Sequence, residues 1–269
     1  MVLSEGNQSS VTMFILLGFS EYPHLLEPLF LMFLTIYTVT LVGNLGIIVI
    51  IRTSLKLHTP MYFFLSHLSF LDICSSSVFT PKLLGILVVE DRVISFKGCM
   101  AQFFFGCAFV IMEMSMLAAM AYDRFAAVCN PLLYTVAISP KLCSLLFAGT
   151  YMWGGMCSLT ITCSLLELSF SSSNVIHHVG CEYSAIISAS CSDTHFSQLM
   201  HFIISTLNEI CVASWLSSLP VFIVVTIIKM PSAAGLWKAV STCASHLSTV
   251  TILHGTVLFL YCVPNSKSS

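Results

Sequence analysis

Charge is what this sequence has least of. Only 8% of its 269 residues are Asp, Glu, Lys or Arg, against about 25% in a soluble domain. Hydrophobic residues make up 57%. Soluble proteins keep polar groups outside, and so few charges cannot cover so much apolar surface. The scarcity excludes a water-exposed globule and makes the bilayer the expected solvent. A net charge of −2 argues against a nucleic-acid partner. No cleavable leader is expected either: the apolar stretch 11–19 is short, and Glu5 precedes it where Lys or Arg would stand. The first full span must then act as the membrane signal. No linker, repeat or low-complexity segment divides the chain, so residues 1–269 are read as one domain. There is no nucleophile–base pair, phosphate loop or charge series along a substrate path, which leaves an enzyme or a transporter without support.

What is abundant is long, continuous apolar sequence. In lipid only helices and closed barrels satisfy their own backbone, and runs without alternation read as helices. A crossing takes about 20 residues. Runs that long occupy residues 28–51, 61–85, 98–121, 142–166, 198–228 and 239–263. Asp72 and Pro81 interrupt the second, and Pro220 should kink the fifth. With the N-terminus outside, the inner loops hold Arg52, Lys56, Arg124, Lys141, Lys229 and Lys238, against Lys82, Arg92, Lys97 and Lys267 outside. The glycosylation acceptor at Asn7 agrees with that orientation. Asp123-Arg124 closes the third run, where both charges reach headgroups and water. Asp72 and Glu113 lie well inside the bilayer, where a charge costs about 2.5–3.5 kcal/mol and should face the bundle interior. Glu209 either lines that interior or snorkels outward. His177, His178, Cys181, Cys191 and His195 crowd the long outer loop. Zinc sites show paired close spacings that this loop lacks, so no metal or cofactor is expected and the loop is read as packed on the bundle.

Five stretches carry a resemblance. They are Gly43-Asn44, "LHTPMYFFLSHLSFLDIC" at 57–74, "MAYDRFAAVCNPLLY" at 120–134, "SCSDTHF" at 190–196 and "KAVSTCASHL" at 238–247. In this order, each at its own span, they resemble the olfactory receptors, a branch of the rhodopsin-like G-protein-coupled receptors. The resemblance implies an all-α, polytopic membrane helix bundle. The family's seventh helix and the amphipathic helix after it are not found before Ser269, so six of the usual seven helices are expected. It also implies a plasma-membrane receptor for small volatile apolar odorants that couples to a stimulatory olfactory G protein. The other expectation, which follows from the chain end, is a non-signalling receptor remnant held in the endoplasmic reticulum.

The resemblance also assigns residues. It makes the Asp123–Arg124 pair a latch that opens when Arg124 turns to the G protein, with Lys238 facing the same partner or lipid phosphates. Phe125 stands where the family has Tyr. Asp72 and Glu113 fall near a polar mid-bundle site that couples the pocket to the G protein. Gly106, Cys107, Val110 and Ile111 of the third helix, with Glu209 and with His254, Val257, Leu258 and Tyr261 of the sixth, fall at ligand-cavity positions. Cys99 and Cys181 correspond to a bridge the family has. Cys191 matches half of a second bridge whose other half reads Ser here, leaving Cys191 a free thiol or a partner of Cys163.

Overall fold

The computed structural model describes residues 12–18, 23–89, 91–129, 134, 138–170, 175–176, 178–229 and 248. Five long helices dominate them: α1 (Leu26–Thr53), α2 (Pro60–Val89), α3 (Phe96–Cys129), α4 (Pro140–Leu166) and, after the short α5 (Tyr183–Ser188), α6 (His195–Lys229). Among the described residues, α1 to α4 are long and apolar enough to cross a membrane. The helix α6 continues across position 220. The run at 239–263 lies outside the described residues.

Each helix shows why it suits lipid. On α1, Leu31, Ile36, Val39, Val42 and Ile50 face outward, an apolar surface that water would not tolerate. Its threonines hide their hydroxyls: Thr35 and Thr38 donate to the carbonyls of Leu31 and Leu34 at 2.7 and 2.8 Å. The helix α2 runs unbroken through Asp72 and Pro81, although the sequence reads as interrupted there. Proline removes one backbone bond, and helices packed on either side make that loss tolerable in a membrane. The helix α4 starts cleanly because Ser139 caps it, accepting from the Leu142 N–H at 3.3 Å, with Pro140 next in line.

The third helix is the axle. It packs against α2, α4 and α6, and from Met112 to Met114 and Met116 to Leu117 its side chains are buried. Close approach of α3 and α4 depends on Gly154. A Cβ there would sit 3.0 Å from the Ala108 carbonyl oxygen and 2.6 Å from Met112 Cγ.

One end of the bundle, the outer end in the expected orientation, carries strands that the all-α reading did not include. β1 (Met13–Leu16) lies between β2 (Val93–Ser95) and β3 (Val175–Ile176). It pairs antiparallel with β2, Phe14 opposite Ile94, and parallel with β3, Ile15 opposite Val175. Phe14 and Leu16 are fully buried. The Phe14 ring meets those of Phe96 and Phe170 at 5.9 and 5.4 Å. The short apolar stretch near the N-terminus therefore plugs the outer end. Each of its strands is short, and the sheet borrows its core from helices α2, α3 and α4, so the helical class of the bundle stands with a small sheet added.

Candidate functional site

Toward the end of α3 far from the sheet, Asp123 is 1% exposed. Its expected partner, Arg124, stands at the limit of an ion pair, Nε to Oδ2 3.9 Å. The short contact comes from elsewhere: the Tyr134 hydroxyl donates to Asp123 Oδ1 at 2.7 Å. Tyr134 is held in turn by its own backbone, whose carbonyl accepts from the Ile138 N–H at 2.8 Å. Ile138 is buried and abuts the Ser139 cap of α4. The start of α4 thus fixes the tyrosine, and the tyrosine fixes the aspartate. Burial, then the bond to Asp123 and its charge, push the Tyr134 phenol above its usual range, so it stays a neutral donor. Sequence reasoning missed Tyr134, although it ends the quoted motif.

Halfway along the bundle, α1, α2 and α3 bring Asn44, Asp72 and Glu113 together. Asn44 lies beside the Asp72 carboxyl, and its amide nitrogen donates to the Thr40 carbonyl at 3.1 Å. Ser75 lies beside Glu113. Glu113 is 9% exposed, and its Oε1 is buried with no hydrogen-bond partner among the described residues. Glu113 is buried and Asp72 half-buried.

Nearer the outer end, the proposed cavity residues of α3 have different surroundings. Ile111 is buried, Cys107 half-buried and Val110 exposed. Gly106 gives its space to a neighbour: a Cβ there would lie 2.5 Å from the Phe79 ring, so the glycine admits that ring. The helix α6 has a clear polar stripe. Ser197, His201, Ser205 and Glu209 recur every four residues, hence on one face; Ser197 is buried and the other three half-buried. Phe196, Leu199, Phe202, Leu207 and Ile210 are exposed on the rest. Glu209, three steps along the stripe, is half-buried while the adjacent Ile210 is exposed. The His201 ring stacks on Tyr183 at 3.8 Å with an interplanar angle of 8°. Ser197 Oγ lies 3.0 Å from Ser164 Oγ and 3.3 Å from the Tyr183 hydroxyl. Ser164, Tyr183, Ser197 and His201 were not singled out from sequence, though a count at i, i+4 exposes the stripe.

Over this region the outer loop is tied down. Cys99 and Cys181 form a disulfide with Cα atoms 5.4 Å apart, both sulfurs buried. Gln102, one turn along α3, accepts from the Cys181 N–H at 3.1 Å and donates to the Val78 carbonyl at 3.0 Å. One side chain so joins α2, α3 and the loop. Cys163 and Cys191 are both free and exposed. Where the family's second bridge would stand, hydrogen bonds do the holding: the Cys191 N–H donates to the Ser169 carbonyl and the Ser169 N–H to Ser192 Oγ, both at 3.0 Å. Of the five loop residues weighed as metal ligands, Cys181 is spent in the disulfide and His178 lies 3.5 Å from Glu182. His177 falls outside the described residues, as do Asn7, Lys238, His254, Val257, Leu258 and Tyr261.

The comparisons agree with this architecture. A family model described as olfactory receptor matches residues 33–266. The chain belongs to the olfactory receptor family. Its similarity to individual members is extensive: 71% identity to olfactory receptor 1165 of Mus musculus over all of this chain and 85% of that protein. Olfactory receptors 5D18 and 5D13 of Homo sapiens are each 59% identical, again over all of this chain and 86% of theirs. Membership makes the chain a membrane receptor of the rhodopsin-like class, a signalling protein and not an enzyme. The Asp123 cluster, the mid-bundle acid Glu113 and the loop-covered end with Cys99 and Gln102 lie along a single helix, α3.

Proposed function

We propose that the chain is a single receptor domain, residues 1–269, that binds small volatile apolar molecules and couples to a stimulatory olfactory G protein at the plasma membrane. The odorant sits in the outer half of the bundle, between α3, α6 and the residues at 254–261. Cys107, Val110 and Ile111 supply apolar wall, and Gly106 supplies the room that Phe79 occupies behind it. Glu209, His254 and Tyr261 supply polar anchors, Val257 and Leu258 shape. A mostly apolar cavity with few placed polar groups is what such ligands need. Asp72 and Glu113 couple the pocket to the inner end, where Arg124 leaves Asp123 and, with Lys238, meets the G protein. The N-terminus is extracellular, glycosylated at Asn7, and the Cys99–Cys181 bridge holds the loop over the pocket.

The observation that carries this reading is the buried Asp123, held by Tyr134 at 2.7 Å while Arg124 stands 3.9 Å off. An arginine so loosely held at the inner rim is available to a partner. The test is expression of the full chain in cells, with surface labelling and cyclic AMP recorded together against a broad odorant panel. A dose-dependent rise to at least one odorant, with glycan on Asn7, is expected. Surface-positive cells silent to the whole panel, or a cytosolic Asn7, would overturn the reading.

A further inference from the structure

We propose that Phe79 of α2 sets the size of ligand the chain accepts: its ring fills the space between α2, α3 and the outer loop, and so keeps a bound odorant on the α6 side of α3. The proposal rests on the ligand site given above, in the outer half of the bundle.

Two glycines make room for this ring. One is Gly106 of α3, where a Cβ would lie 2.5 Å from Phe79 Cζ and 2.7 Å from Cε2. The other is Gly180 of the outer loop, where a Cβ would lie 3.3 Å from Cδ1 of the same ring. Among the described residues, Gly18 is the glycine with positive φ. Backbone freedom therefore does not explain Gly106 or Gly180; each omits a side chain where the Phe79 ring stands. The ring cannot back away, because its helix is tied to both neighbours just before it. The Val78 carbonyl accepts from the Gln102 amide at 3.0 Å, which fixes α2 to α3. Ser77 Oγ lies 3.0 Å from the Tyr37 hydroxyl, which fixes α2 to α1. Gln102 also takes the Cys181 N–H at 3.1 Å, so the loop is pinned one residue beyond Gly180.

The wedge stands at the level of the proposed ligand wall. Gly106 adjoins Cys107 and lies one turn from Val110. Phe79 is half-buried, so part of its ring is left open among the described residues and can form wall itself. A boundary here needs apolar area and a rigid shape, and a phenyl ring supplies both. Taking the ring away leaves an apolar space of the kind that stays dry and takes a benzene-sized guest. With Phe79 in place the site suits slender odorants, and a ligand carrying an added aryl group finds no room beside α2.

The experiment records cyclic AMP from the full chain in cells, at matched surface level, against straight-chain aldehydes and their phenyl-capped counterparts. Phe79→Ala should move the size optimum: the phenyl-capped members should gain at least about 10-fold in potency, while the short straight-chain members gain nothing. Phe79→Leu removes less and should shift the optimum less; it also serves if the alanine variant folds poorly. Gly106→Ala should depress surface level, and adding Phe79→Ala should restore it. A second arm needs no agonist: saturating toluene should raise the melting temperature of purified Phe79→Ala and leave the wild type unchanged. A uniform loss of potency across the series would mark Phe79 as merely structural and overturn the proposal. So would an equal effect of toluene on both proteins, or a Gly106→Ala defect that Phe79→Ala does not relieve. A wild type silent to every odorant would count against the receptor reading, and the toluene arm would still decide this one.

Discussion

Replacing Tyr134 by Phe removes one oxygen and keeps the ring. The lost hydroxyl donates at 2.7 Å to a carboxylate that is 1% exposed. A hydrogen bond to a charged group contributes about 1.5–3 kcal/mol. If the bond exists only while Asp123 stays in its resting position, that energy separates resting from active receptor. The ratio of active to resting molecules then rises roughly 10- to 150-fold. A receptor that is about 1% active without ligand becomes roughly 10–60% active. Basal cyclic AMP per surface receptor, for Tyr134→Phe beside wild type, reads this directly. Asp123→Asn should raise it too, since an amide accepts the bond more weakly. Stability is measured alongside by thermal denaturation of the purified protein, because the buried carboxylate also loses a partner in the folded state. Basal signalling equal to or below wild type, at matched surface level and melting temperature, would refute the reasoning: Tyr134 would then hold Asp123 equally in both states.

Other outcomes follow from single contacts. Gln102→Leu breaks two hydrogen bonds that join α2, α3 and the loop; at about 1 kcal/mol each, thermal denaturation should show a loss of roughly 2 kcal/mol with the Cys99–Cys181 bridge still formed. Gly154→Val forces a Cβ to within 3.0 Å of the Ala108 carbonyl oxygen, and overpacking of this kind costs about 1–3 kcal/mol; the variant should express poorly while Gly155→Val, where nothing lies within 4 Å, should not. The hydrogen bond and charge of Lys82 hold the Asp91 carboxyl below its ordinary range. Its pKa is depressed on folding, so its contribution is complete above the unfolded value of about 3.9 and fades as pH falls through the folded one. Lys82→Gln should lower the melting temperature slightly at neutral pH, leave the value below the folded pKa unchanged, and so flatten the dependence on pH across that acid window.

Composition and run length made the helices legible, because lipid allows little else. The interior side of α6 was equally open to reading, since Ser197, His201, Ser205 and Glu209 keep strict helical spacing. The sheet was not: β1 has four residues, and its partners begin at Val93 and Val175, far along the chain. No local pattern announces such pairings. Tyr134 was hidden for another reason. It sits in a connection that looks irregular, and only the Ser139-capped start of α4 brings it against Asp123. The Cys99–Cys181 bridge came from the resemblance; spacing alone could not choose among twelve cysteines. Gln102 gave no signal at all, as a lone polar residue in an apolar helix has no visible partner until α2 and the loop are placed.

The central claim is that an event in the outer half of the bundle is felt at Arg124. Odorant-stimulated cyclic AMP of the Arg124→Ala chain, compared with wild type at equal surface density and equal odorant binding, tests it most directly. The account expects binding to persist while the cyclic AMP response falls to baseline. A variant that still answers odorant as the wild type does would contradict it.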